Sequence, residues 1–161
     1  HSWETQGWKW IRDICLVVRD SFYKEAYQKH IKEDWSYRSF RDSDIDNYRL
    51  TVLKLVEKGY WVFRMGKGAR KPLDIEHPRV IDYAWSSFQS DFLDIWLMAN
   101  CFFCISTDSG LDNVANVFRK PIIYVNFIGP IAHMFTWNNS ITYPIILGNF
   151  KKKIKNVSRI T

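Results

Sequence analysis

Five short apolar runs punctuate the chain: Ile14 to Val18, Tyr60 to Met65, Val80 to Tyr83, Phe102 to Ser106 and Ile122 to Asn126. Hydrophobicity that is nearly continuous over so few residues marks strands buried on both faces. Between them the apolar residues recur at helical spacing. Tyr48, Val52, Leu55 and Val56 follow Asp44 or Asp46 as N-cap and stop at Gly59. Ser90 precedes Phe92, Leu93, Trp96 and Leu97, and Ser109 opens a shorter segment with Leu111, Val114, Ala115 and Phe118 that Lys120 and Pro121 end. Strands alternating with helices predict an α/β fold: a Rossmann-like, doubly wound, mostly parallel sheet over residues 1–150, with right-handed connections.

Composition agrees with a folded domain. The chain has 161 residues, 47% of them hydrophobic and 17% aromatic, which excludes disorder. Cys15, Cys101 and Cys104 lie in apolar runs, and an odd number of such thiols fits a reducing compartment better than a disulfide framework. The formal charge of +6 is unevenly spread: five of the 23 basic residues fall in 151–161, which holds no acid, and the other 18 nearly balance the 17 acids. A basic tail at 151–161 on a near-neutral body argues against a nucleic-acid groove, which would line one face with Lys and Arg. No stretch approaches the roughly 20 apolar residues of a membrane span, and Trp3, Glu4 and Lys9 do not suit a signal peptide. The expected location is cytoplasmic or peripheral at an inner membrane.

In a doubly wound sheet, ligands bind beyond the carboxyl ends of the strands. There the sequence offers Arg19, Asp20 and Ser21 after the first run and Gly66, Lys67, Gly68, Arg70 and Lys71 after the second. After the fourth run come Thr107, Asp108, Ser109 and Gly110. Ser106 to Gly110, at a strand-to-helix junction, has two readings. It is a phosphate cradle at the positive end of a helix, or Ser109 simply caps the helix and Gly110 relieves a turn. It matches neither G-x-G-x-x-G nor the P-loop pattern. The basic loop beside Arg64 either holds a diphosphate or is solvated. Arg19 either forks onto phosphate or pairs with Asp20. The aromatic-rich segment Phe22 to Arg41, without clean period, has the character of a functional lid.

Three patterns are set aside. Asp42, Asp44 and Asp46 open like a calcium loop but lack its Gly and terminal Glu, so they are expected to cap a helix. Cys101 and Cys104, three apart in an expected strand, should point to opposite faces and pack in the core. The four histidines, at 1, 30, 77 and 133, have no metal-ligand spacing.

Taken in order, several segments resemble a family of bacterial glycosyltransferases associated with surface-polysaccharide loci. They are Val17-Val18-Arg19-Asp20-Ser21, Asp44-Ile45-Asp46-Asn47-Tyr48, Gly59 through Gly66, Ile81-Asp82-Tyr83-Ala84, Ser90 through Ile95, and Ser106 through Leu111 on to Asn126. The Asp108-Ser109-Gly110 turn is more distantly similar to the Asp-Thr-Gly turn of heptosyltransferases, which have the two-domain GT-B fold. The resemblance implies that the chain corresponds to the carboxyl-terminal, donor-binding domain of such an enzyme. Asp108, Ser109 and Gly110 would approach the diphosphate of a nucleotide-sugar, Gly66 and Lys67 would line the same cleft, and Arg19 would neutralise the leaving group. It implies no metal or other cofactor and a glycan or lipid-linked acceptor.

A GT-B enzyme needs two such domains. The chain, which begins at His1 without Met, is therefore expected to be one half, its acceptor domain lying on a missing amino-terminal part or a partner chain, with the catalytic base unassigned. Competing readings are a nucleotide-sugar epimerase and a non-catalytic carbohydrate-binding or assembly module.

Overall fold

A computed structural model describes residues 12–27, 42–127 and 140–144. Its elements run β1 (Asp13–Val17), α1 (Phe22–Tyr27), a 3-10 turn (Ile45–Tyr48), α2 (Arg49–Glu57), β2 (Trp61–Met65), β3 (Val80–Ile81), a 3-10 turn (Tyr83–Trp85), α3 (Asp91–Asn100), β4 (Phe103–Ser106), α4 (Asp112–Val117), β5 (Ile122–Phe127) and β6 (Ile141–Pro144). All six strands are parallel and ordered β3-β2-β1-β4-β5-β6, the order of the doubly wound Rossmann fold.

Burial on both faces follows from the apolar runs. On one face α2 packs Val52 and Val56, with Ile45 and Tyr48 of the turn before it, against Ile14, Leu16, Val62 and Ile105. On the other, Leu97 and Met98 of α3 and Ala115 of α4 cover Cys15, Val17, Met65, Cys104, Ile122 and Tyr124. Asp44 caps the turn leading into α2 by accepting from Asp46 N (2.9 Å), and Ser90 caps α3 by accepting from Leu93 N (3.2 Å). Gly59 follows α2 with a φ of +89°, the left-handed stop that glycine adopts without steric cost.

Several sequence expectations are corrected. β3 has two residues instead of four, because Asp82 turns away to bind Arg64 and Leu73 N while Tyr83 enters a 3-10 turn. Of the apolar residues on α3, Phe92 and Trp96 are 71% and 49% exposed, and Leu97 and Met98 reach the sheet. The short helix α4 begins at Asp112, not at Ser109, and Arg119 in the left-handed region ends it just before Lys120 and Pro121. Cys101 is the C-cap of α3 and not a strand residue, so Cys101 and Cys104 share one core cluster with Cys15 instead of facing apart. Core packing of the thiols stands for a different reason: all three are free and buried. Part of the aromatic-rich insertion is helical, as α1, and residues 28–41 lie outside the described residues, as do 1–11 and the tail at 151–161. β6 was not expected; it pairs with β5 at the sheet edge, where its terminal Pro144 is tolerated. Among the described residues no helix is long and apolar enough to cross a membrane.

Candidate functional site

β1 is flanked by β2 on one side and β4 on the other, and the chain leaves β1 toward α2 but β4 toward the opposite face. Loops that diverge in this way open a crevice at the carboxyl edge. The crevice here is a cleft of about 700 Å³ bounded by the ends of β1, β2 and β4 and the first turns of α3 and α4. Of ten donor-site candidates, Arg19, Asp20, Ser21, Arg64, Gly66, Lys67, Thr107, Asp108, Ser109 and Gly110, all but Ser21, Arg64 and Thr107 line it.

The other three are elsewhere. Thr107 is fully buried beneath the cleft and clamps its two central strands: its Oγ1 accepts from Arg19 N at 2.7 Å and its own N–H donates to Val17 O at 3.1 Å. Ser21 and Arg64 line a second, smaller pocket. Arg64 alternates with Phe63 and Met65, which face the α3 side, so it shares the α2 face with Val62. There it is 2% exposed and ion-paired to Asp82.

Arg19 pairs with Asp42 (Nε to Oδ1, 3.3 Å). Asp20 is a latch: Oδ1 accepts from Phe22 N and Oδ2 from Arg70 N, both at 3.0 Å, tying the start of α1 to the basic loop. The Arg70 guanidinium reinforces that tie through Ser21 and Glu25. Asp44 and Asp46 both hold Lys71. Lys67 lies 3.5 Å from Asp91 on the cleft wall.

The turn after β4 is built differently from a bare phosphate cradle. Asp108 N donates to Ser106 Oγ (3.2 Å), Ser109 N to Asp112 Oδ2 (2.9 Å) and Leu111 N to Ser109 Oγ (3.4 Å). Most of the amides that an anion would need are thus satisfied from within. Gly110 N–H has no hydrogen-bond acceptor among the described residues and its Cα faces open space. Asp112 organises the turn and was missed from sequence. It is 2% exposed, also accepts the Ser106 hydroxyl, and burial pushes its carboxyl up to about 6. A carboxylate six residues after the strand-ending Ser106 was the available signal. Asp108 holds a φ of +63°, a left-handed conformation that short polar side chains tolerate.

The glycines divide by purpose. At Gly68 (φ +81°) an added Cβ would lie 2.6 Å from Phe22 Cε1, so the residue is fixed by fold. Gly68→Ala is expected to lower the unfolding free energy by about 1–3 kcal/mol through left-handed strain and overpacking. Gly110→Ala meets nothing within 4 Å and should change stability by less than about 0.5 kcal/mol. Urea unfolding of the two variants checks both; equal losses would remove the distinction.

The cleft carries both signs of charge. Arg19 and Lys67 suit phosphate oxygens, and the carboxylates of Asp20, Asp91, Asp94 and Asp108 suit hydroxyl donors. A scan against protein-family models, a search of curated proteins and a search of solved structures each find no match for this chain.

Proposed function

We propose that this chain is the donor-binding half of a glycosyltransferase, which holds a nucleotide-sugar in the cleft between the ends of β1 and β4 for transfer to a glycan or lipid-linked acceptor. The observation that carries the reading is the cleft itself, at the point where the strand order reverses, lined by all six residues to which the family resemblance gives a donor-site role. Lys67 and Arg19 supply cations where a leaving diphosphate gathers charge, Gly110 leaves a bare backbone for close approach, and the carboxylates accept sugar hydroxyls. An acceptor-binding domain and a general base would come from outside this chain.

One observation favours a second reading, a carbohydrate-binding module: four carboxylates against two cations suit a hydroxyl-rich ligand better than a polyanion. Thermal stability against a panel of nucleoside diphosphates, their sugar conjugates and free oligosaccharides separates the two, because a ligand that binds only the native state stabilises it by RT ln(1 + [L]/Kd). The expected result is a shift of about 2.7 kcal/mol equivalent at 100-fold Kd for one nucleotide-sugar. Ser109→Trp, at a half-buried rim position, should abolish that shift while leaving the unliganded midpoint near wild type. A shift with oligosaccharide alone would establish the module instead.

A further inference from the structure

The buried guanidinium of Arg64 is only partly engaged. Its Nη1 donates to Lys71 O at 2.6 Å and lies 3.3 Å from Asp82 Oδ2. Nε and Nη2 have no hydrogen-bond partner among the described residues. A guanidinium carries five N–H donors in a planar fork, and those not used within the protein are available to a ligand. The group forms part of the wall of the second pocket, about 290 Å³, on the α2 side of the strand ends. This pocket shares only Asp20 with the large cleft.

The other charges around it are already engaged. Arg70 is forked onto Ser21 and Glu25, Lys71 holds Asp44 and Asp46 at 2.6 Å each, Asp42 pairs with Arg19, and Asp20 accepts two backbone amides. Arg64, Arg70 and Lys71 balance Asp20, Asp42 and Asp44, so the wall has no net charge to hold a dianion. A phosphate would meet three carboxylates. A carboxylate brings a single charge and two in-plane oxygens that match an arginine fork. Hydroxyls beside it would find acceptors in the three aspartates and both donors and acceptors in Ser21 and Ser43.

We propose that this pocket binds a sugar acid, a hydroxyl-rich monocarboxylate of hexuronate type, with the carboxylate on Arg64. The proposal does not depend on what fills the large cleft.

The test titrates the isotope-labelled 161-residue chain with glucuronate, glucose and inorganic phosphate while amide resonances are followed. Glucuronate should move Ser43, Ile45 and Lys71 and saturate, with glucose and phosphate each binding about tenfold more weakly or less, since a hydrogen-bonded charged pair is at stake. Arg64→Lys keeps a cation beside Asp82 but removes the fork, and should weaken glucuronate about tenfold with an unchanged circular-dichroism spectrum. Equal binding of glucose, tighter binding of phosphate, an unaltered affinity in the folded Arg64→Lys variant, or no response to glucuronate would overturn the proposal. Resonance shifts confined to Lys67, Ser109 and Gly110 would also overturn it by placing the sugar acid in the large cleft. Should Arg64→Lys fail to fold, the pattern of shifted amides and the ligand comparison in the native chain decide the matter alone.

Discussion

Arg64→Ala is expected to lower the free energy of unfolding by about 3–5 kcal/mol, the cost of removing a buried guanidinium and leaving its half-buried partner charge uncompensated. Asp82 is that partner. Its Oδ2 holds both Arg64 Nη1 and Leu73 N, at 3.3 and 2.6 Å, and its Oδ1 is buried with no hydrogen-bond partner among the described residues. Loss of the guanidinium also frees Lys71 O, so the long connection between β2 and β3 would lose its anchor at both ends. Urea unfolding measures the loss. The cause is separated from simple cavity formation by a double-mutant cycle with Asp82→Ala. The double variant should be far less unstable than the sum of the two singles, and additive losses would show that the pair is not the unit.

The second large effect depends on pH. Asp112 has its folded-state pKa raised to about 6 from an ordinary 3.8, chiefly by desolvation, although the Ser106 hydroxyl and Ser109 N–H favour the ionised form. The folded protein therefore holds this proton more tightly than the unfolded chain does. The contribution to stability is present below pH 3.8 and is lost as pH rises through about 6. A shift of this size corresponds to about 3 kcal/mol across that window. Asp112→Asn retains an acceptor for Ser109 N and has no proton to lose. Relative to it, the wild type should become less stable by about that amount between pH 3.8 and pH 7. Denaturation curves taken in parallel at the two limits test this, and a difference independent of pH would refute the assignment.

Five of the six strands were legible because each is a nearly continuous apolar run, a pattern produced by two covered sides; β6 was not. The caps at Asp44 and Ser90 and the stop at Gly59 were legible because each is a local bond or a local φ. Ser109 misled for a physical reason: a side chain from further along the chain, Asp112, outcompetes it for the turn, and that requires knowing which carboxylate is buried. Arg64 was grouped with Gly66 and Lys67 by proximity in sequence. The period of two along β2 separates them, and the same count applied to Val62 would have placed Arg64 on the α2 side. The cleft was legible as a location, the carboxyl edge of the strands, but its acidity was not. Asp91 and Asp94 reach it from α3, an element whose direction across the sheet no local pattern reveals.

The central position of β1 also sets the order in which the molecule can be assembled. Its two neighbours, β2 and β4, are both encoded downstream, and the register Ile14 to Phe103 cannot form until most of the chain exists. Parallel pairing over such separations requires loop closure before any contact repays it, which makes folding slow. On a ribosome the run from Ile14 to Val18 would emerge before β2 and β4 and wait for them with both edges unpaired, a β-branched and uncharged segment of the kind that self-associates. The residue that follows, Arg19, puts a charge at the end of that segment, where such residues oppose self-association, as well as on the wall of the cleft.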